Sequence, residues 1–355
     1  MEAEHRWLDR VEEIARETLP PAVFRYLAEG ARDEITLGEA TDAWRSYRLA
    51  PRVLRDVSAV DPSVELLGVR HPVPFGIAPM TLQKAADPDG EVAMARAAAV
   101  MDVPVVVSSN SGSTFAEIGA TGARWWLQVY VAQQREESLP LLRQAVAGGA
   151  SAVVLTVDTP TLGTRYPAPG VPKVWEMAEP GWLGANASTT TGLDPADRAK
   201  AMDLGPADLS WLRDVTGLPV VVKGVLRPDD ARRALSGGAE AVWISNHGGR
   251  QLDQAVATAH VVAATRTSVG DQAQVYVDGG VRSGLHALVA LALGATAVFV
   301  GRPLFYALAA GGEDGVVRAL RELGDELLEA LRLTGSATLA DTPGLVVGSP
   351  VQDGP

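Results

Sequence analysis

His247 and Arg250 stand three residues apart in the run Ser245-Asn246-His247-Gly248-Gly249-Arg250, directly after an apolar stretch. A histidine oriented by a carboxylate is a general base, and Asp158, closing Thr156-Val157-Asp158 after another apolar stretch, could supply that carboxylate. Arg165 follows seven residues later. Lys223 follows Pro219-Val220-Val221-Val222. It could form a Schiff base, donate to an electron-rich cofactor ring, or sit in a structural salt bridge, and spacing leaves all three open. Asp278-Gly279-Gly280 with Arg282, and Gly301-Arg302, pair glycine with arginine twice. Glycine lets backbone N–H groups approach an anion and a guanidinium adds charge-assisted hydrogen bonds, so these two places predict a phosphate-bearing ligand. Three further apolar runs end in Pro79-Met80-Thr81, in Ser108-Ser109-Asn110, and in Gln128 with Tyr130.

Residues so dispersed need a scaffold that gathers strand ends. Eight short apolar runs (75–78, 104–107, 125–129, 152–157, 220–222, 241–244, 275–277 and 297–300) alternate with Ala-rich helical segments. Most lack polar alternation, as strands of a parallel sheet buried on both faces do. Ala147-Gly148-Gly149-Ala150, Ser236-Gly237-Gly238-Ala239 and Leu293-Gly294-Ala295 repeat one phrase: a helix end, a glycine turn, then a strand. Eight such βα units predict a TIM (β/α)8 barrel, whose active site lies at the C-terminal ends of the strands. A doubly wound open sheet is the alternative, but no Gly-x-Gly-x-x-Gly follows the first run. Residues 1–60 read as helical, with Trp7, Val11, Ile14 and Ala15 at helical spacing before Pro20-Pro21, and the polar stretch near 37–44 as a third helix. The expected organisation is one domain over 1–355: a helical segment 1–65, a barrel 66–310, and a C-terminal helix and tail 311–355. A Pro-, Gly- and Ser-rich loop, 166–205, follows the fourth strand and reads as a lid.

Composition narrows the chemistry. With 31 Lys and Arg against 43 Asp and Glu, the net charge is −12, which argues against nucleic acid or an anionic membrane as partner. The chain has no cysteine, so disulfides, thiolate metal sites and cysteine nucleophiles are excluded, and no metal is expected. The N-terminus carries acid where a signal peptide carries base, and the most apolar stretch, 287–300, is too short to span a bilayer; a cytoplasmic location is the expectation. Glycine, 36 of 355 residues, exceeds the usual ~7%.

Around Ser245-Asn-His-Gly-Gly-Arg-Gln-Leu-Asp253 the sequence resembles the FMN-dependent L-α-hydroxy acid oxidase/dehydrogenase family, which includes glycolate oxidase, lactate oxidase and mandelate dehydrogenase. The resemblance runs over almost the whole chain, through Leu19-Pro20, Ile77-Ala-Pro79, Gln128-Val-Tyr130, Leu155-Thr-Val-Asp-Thr-Pro160, Val222-Lys-Gly-Val225, Val277-Asp-Gly-Gly-Val-Arg282 and Gly301-Arg-Pro303. It implies a TIM barrel and FMN. By motif position, Ser108, Gln128, Thr156, Lys223 and Ser245 would contact the flavin ring or ribityl chain. Asp278, Gly280, Arg282, Gly301 and Arg302 would hold the ribityl tail and phosphate, and the stretch Ala78, Pro79, Met80, Thr81 would lie along the ring. The implied reaction oxidises an L-2-hydroxy acid to the 2-oxo acid, with O2 or another compound as electron acceptor. His247 would be the general base, Asp158 would stabilise its protonated form, Arg165, Arg250 and Tyr26 would bind the substrate carboxylate, and Tyr130 would hydrogen-bond the reacting oxygen. Lys223 would stabilise the reduced flavin. A homo-oligomer, tetramer or octamer, is also implied.

Three positions depart from the family pattern. Thr81 stands where Ala or Gly is usual, Asn110 where glycolate oxidase has tryptophan, and Leu27 where an aromatic is usual. The last two predict a pocket shaped for an aryl or bulky side chain, such as a mandelate; Thr81 bears on oxidase against dehydrogenase. A Schiff-base lyase using Lys223 is the reading from another class. A catalytically idle flavin protein fits less well, because Tyr130, Asp158, Arg165, Lys223, His247 and Arg250 are all intact, and a non-redox FMN barrel fits less well, because the run Ser245–Asp253 and Arg165 would serve a carboxylate substrate.

Overall fold

A computed structural model describes residues 6–166, 170–186, 200–271 and 273–348. Eight parallel strands close a barrel: β1 (Phe75–Ile77), β2 (Val105–Ser108), β3 (Trp125–Val129), β4 (Val153–Thr156), β5 (Val220–Val225), β6 (Ala241–Ile244), β7 (Gln274–Val277) and β8 (Ala297–Val300). Each pairs with the next in sequence, and β8 pairs back onto β1 with Val298 opposite Phe75. This is the TIM barrel expected from the apolar runs. Alternate residues face inward, where Val106, Trp126, Val154, Val221, Trp243, Tyr276 and Phe299 form a core of their own. The Trp243 and Phe299 rings meet at 4.0 Å. Gly76 makes room for them, since a Cβ there would stand 2.3 Å from the Phe299 ring. The outward residues Val105, Val107, Val153, Val220 and Val222 pack into the larger core shared with the helices.

Three helices precede the barrel: α1 (Trp7–Thr18), α2 (Pro21–Ala28) and α3 (Ile35–Arg45). Pro20 ends no more than α1's reach, because Pro21 starts α2 at a position where proline's missing N–H costs nothing. The helical expectation for residues 1–60 fails beyond Arg45. Arg48–Leu49 pairs antiparallel with Val346–Gly348, and a hairpin of Val64–Leu66 and Val69–His71 lies across the N-terminal end of the barrel. These strands are too short to show a period, so tertiary pairing decides them. Leu66 plugs the inner core, and Gln274 at the start of β7 accepts from Leu67 N–H at 3.1 Å.

α1 lies against one long terminal helix, Arg302–Leu333, which bends at Gly311 and Gly312. Trp7 Nε1 donates to the Gly315 carbonyl at 3.1 Å, and Glu322 accepts from the Trp7 and Leu8 N–H groups. α3 sits on the opposite, C-terminal rim. Its N-terminal turn is held by Asp253, which accepts from Asp33 and Thr36 N–H, so the aspartate of the signature run is a helix support. Trp44 Nε1 and Thr41 Oγ1 donate to the carbonyls of Gly279 and Gly280 at 2.7 and 3.1 Å. No helix among the described residues is long and apolar enough to cross a membrane.

Gly149, Gly238 and Gly294 adopt φ of 86°, 97° and 105°, the left-handed turn expected after each helix end. Gly280, at φ 77°, carries a second demand: a Cβ there would stand 2.1 Å from the Ala40 carbonyl oxygen of α3. Its bare backbone is therefore required by helix seating before any ligand is considered. Gly280→Ala is expected to lower the melting temperature by roughly 5–10 °C in a circular-dichroism melt. Gly149→Ala, where a Cβ meets nothing within 4 Å, serves as the control with the smaller loss.

Candidate active site

His247 lies three residues past β6 at φ 57°, in the left-handed region that a histidine rarely adopts. Its N–H donates to Ser245 Oγ at 3.1 Å, and its Nδ1 meets Asp158 Oδ1 at 2.8 Å. Thr159 Oγ1 reaches the same carboxylate oxygen at 3.1 Å. With Nδ1 engaged, Nε2 is the nitrogen left for a ligand in the cavity that His247 lines. Burial pushes the imidazole below its ordinary value, against the opposing pull of Asp158. Burial alone would raise Asp158; the charges of His247 and Lys223 and the hydrogen bonds outweigh it and hold the carboxyl below its usual range. The close approach of β5 to this carboxylate depends on Gly224, at φ 110°, where a Cβ would stand 2.6 Å from that of Asp158.

The same cavity is lined by Arg165, Arg250, Tyr26 and Tyr130. Arg250 donates to the Tyr26 and Glu29 carbonyls at 2.5 and 3.0 Å, and its guanidinium lies 4.6 Å from the Tyr26 ring centre. Arg165 lies 5.6 Å from that ring and 3.5 Å from Glu29, and its Nε is buried without a hydrogen bond among the described residues. Burial, then the charge of Arg250, lowers Arg165 from its ordinary value. Burial and the charge of Asp158 raise Tyr130, so its phenol stays protonated and can donate.

A second group lies deeper. Lys223 Nζ donates to Ser245 Oγ at 2.8 Å and pairs with Asp278 Oδ2 at 3.2 Å. Gln128 Nε2 donates to Thr156 Oγ1 at 3.0 Å. Ser108 Oγ accepts from Asn110 N–H, and Thr81 Oγ1 donates to the Asn110 carbonyl at 3.3 Å. Arg302 donates to the Leu27 and Glu29 carbonyls at 2.6 and 3.2 Å, and Arg282 to the Val281 carbonyl at 2.9 Å. Burial lowers both, Arg302 to about 9, where Arg250 and Arg282 add their like charge. Ala78, Pro79, Met80, Thr81, Ser108, Gln128, Thr156, Asp278, Gly280, Gly301 and both arginines line the one cavity. The structure thus brings every predicted site residue except Asp158 and Ser245 onto its wall; those two stand immediately behind, through His247 and Lys223.

A family model described as FMN-dependent dehydrogenase matches residues 15–347. The chain belongs to this family. Glycolate oxidase 1 from Oryza sativa subsp. indica is 40% identical, covering 92% of this chain and 91% of that protein. 4-Hydroxymandelate oxidase from Amycolatopsis orientalis is 38% identical, covering 92% and 93%. A crystal structure of mandelate oxidase superposes with a TM-score of 0.86 at 37% identity, covering 94% of this chain and 96% of that one. This family member is an oxidoreductase whose cofactor is FMN, and the residues present suit that group. Among the described residues the largely buried guanidiniums of Arg282 and Arg302 hydrogen-bond only to backbone carbonyls, which leaves their charge for a phosphate. Asp278 Oδ1 is buried without a partner among the described residues, a lone acceptor for a ribityl hydroxyl. A Cβ at Gly301 would meet nothing nearer than 3.8 Å, so that wall is open.

Sequence reasoning treated Trp175 only as part of the loop after β4. It sits in a short helix, Val174–Met177, and meets Tyr26 edge-on at 5.1 Å. Asn186, farther along, donates to Ser111 Oγ and the Ser113 carbonyl, which ties the loop to the segment after β2. Of the expected lid 166–205, residues 167–169 and 187–199 lie outside the described residues. Lys200 and the role of Gly224 were also missed; neither occupies a position that spacing marks. Gly224→Ala is expected to displace Asp158 and lower turnover by about 10²-fold. The purified protein would remain yellow, as absorbance spectra would check.

Proposed function

We propose that this protein oxidises an L-2-hydroxy acid with an aryl or bulky side chain, such as a mandelate, to the 2-oxo acid, with O2 as acceptor and hydrogen peroxide as product. One observation carries the reading: the His247–Asp158 pair, at 2.8 Å, opens onto the cavity that also holds Arg165 and Arg250. A base and a two-cation clamp on one cavity suit a substrate whose reacting carbon adjoins a carboxylate. The names of the relatives, all oxidases, support O2 as acceptor. Leu27, Thr81 and Asn110 line the cavity with no aromatic among them, which supports a larger side chain than that of glycolate.

FMN supplies the two-electron acceptor. The protein does the rest. Arg165 and Arg250 take the carboxylate in charge-assisted hydrogen bonds, with Tyr26 between them. Tyr130 donates to the reacting oxygen. His247 receives the proton that leaves the substrate at Nε2, and Asp158 across the ring stabilises the imidazolium. Lys223, on the cavity wall, would stabilise negative charge on the bound cofactor. An ammonium already committed to Asp278 and Ser245 is not the free amine that a Schiff base requires, which weighs against the lyase reading. Assembly into a homo-oligomer belongs to the same proposal: Val53 and Leu54, 77% and 102% exposed, are apolar side chains that another subunit would cover.

The test is anaerobic bleaching of the yellow protein with glycolate, lactate, mandelate and long-chain 2-hydroxy acids, followed by air. Mandelate is expected to bleach it fastest, and air to restore the colour with release of peroxide. No bleaching with any acid would sink the reaction; slow recolouring would sink O2 as acceptor. His247→Ala should slow bleaching by about 10²- to 10⁴-fold with FMN retained.

The pH profile has a defined sign. Burial favours neutral imidazole, so the base form persists below the ordinary histidine value of about 6.5, and the acid limb of kcat/KM is expected below it. Asp158→Asn removes the interaction that raises His247, so the limb should move to still lower pH while turnover falls.

A further inference from the structure

The reading above gives an anion to each cation of the site but one. Arg165 and Arg250 take the substrate carboxylate, Arg282 and Arg302 a phosphate, and Lys223 has Asp278. Lys200 also lines the active-site cavity, which Tyr130, Arg165 and Trp175 line as well. Its backbone is fixed rather than trailing. Lys200 forms an antiparallel bridge with Ala132, and Ala201 N–H donates to the Val131 carbonyl at 2.9 Å, which seats the segment on the chain just beyond β3. The side chain then lies over the phenol ring, with Nζ 4.0 Å from the Tyr130 ring centre. Among the described residues no hydrogen bond or ion pair engages its ammonium, and no carboxylate stands within ion-pair distance. Burial pushes its ammonium down to about 8, with Asp158 pulling weakly the other way. A desolvated cation facing a cavity, with three donors and a ring that satisfies none of them as an acceptor would, calls for an oxygen from outside the chain. There is room for one: Lys200 also borders a second cavity of about 410 Å³ that shares Tyr130 and Thr156 with the first.

We propose that Lys200 is a specificity-determining residue that favours 2-hydroxy acids whose side chain ends in an oxygen acceptor, a carboxylate or a phenolic hydroxyl, over neutral side chains of the same size. This deepens the reaction proposed above and rests on it. The α-carboxylate is held by Arg165 and Arg250, so a group at Lys200 belongs to the other end of the substrate. Charge-assisted hydrogen bonds are the stronger kind, and their loss in a dry site is felt in binding.

The experiment uses FMN-loaded wild type, K200M and K200R on two matched pairs: 2-hydroxyglutarate against 2-hydroxypentanoate, and 4-hydroxymandelate against mandelate. The wild type is expected to prefer the oxygen-tipped member of at least one pair in kcat/KM. K200M should lower that ratio at least tenfold, chiefly through KM, and K200R should recover most of it. Preference in the first pair identifies a carboxylate as the group, and preference in the second a phenol. A ratio within twofold of wild type in K200M for both pairs, or no preference in wild type, overturns the inference. Flavin absorbance reports whether K200M is folded and loaded, and K200R tests charge where K200M is not. Failure of all four acids to bleach the flavin overturns the reaction and this inference together, whereas bleaching with an unchanged ratio overturns this inference alone.

Discussion

Two guanidiniums, Arg250 and Arg302, share the carbonyl oxygens of Leu27 and Glu29 where α2 ends. The C-terminal end of a helix is its negative end, with carbonyls that no later turn satisfies. Those carbonyls accept what no carboxylate in the barrel accepts, and so let like charges stand together at the rim. The compensation is partial. Arg302 falls to about 9 because it is buried and because Arg250 and Arg282 press on it. A site held in this state favours bound anions, which is the shared requirement of a phosphate and a 2-hydroxy acid. The helices before the barrel are therefore part of the active site, and removing them would leave the cations without acceptors.

The same incompleteness recurs atom by atom. Among the described residues, Asp278 Oδ1, Asp158 Oδ2 and Arg165 Nε are buried without a hydrogen bond, although Arg165 Nε keeps Glu29 at ion-pair distance, and all three belong to residues in or directly behind one cavity. Buried polar atoms are rarely left so. Around them the backbone carries unusual conformations, with His247 at φ 57° and Gly224 at φ 110°. The scaffold beneath is conventional: the rigid aromatic packing of Trp126, Trp243, Tyr276 and Phe299 fixes the strands whose ends bear the chemistry.

The strands were legible because a parallel barrel buries both faces of each strand, which leaves apolar runs that end abruptly in polar residues. All eight appear within a residue or so of their expected bounds, apart from β5, which continues through a register shift to Val225. That extension carries Gly224 past Asp158, a contact between β5 and the turn after β4 that no local pattern announces. The hairpin at Val64–Leu66 and Val69–His71 and the ribbon at Arg48–Leu49 escaped for the same reason, since their partners decide them. The sequence reading takes Gly280 for an anion-site glycine, but its tightest neighbour is Ala40, more than two hundred residues earlier. Lys200 lies in a loop whose composition signals only a connection, and its meaning depends on the ring beneath it.

The pins between α3 and the carbonyls of Gly279 and Gly280 bear on the order in which the chain can be built. α3 ends at Arg45, so it leaves the ribosome long before β7 and β8 exist. Its seat lies just past β7, among the later parts of the barrel, and Arg302, whose guanidinium donates to carbonyls at the end of α2, comes later still. Closing such a distant contact carries its entropic cost before the gain arrives. Residues 7–45 must therefore wait, amphipathic and unseated, until the ring closes, and the cation set at the rim is complete only once Arg302 has been made.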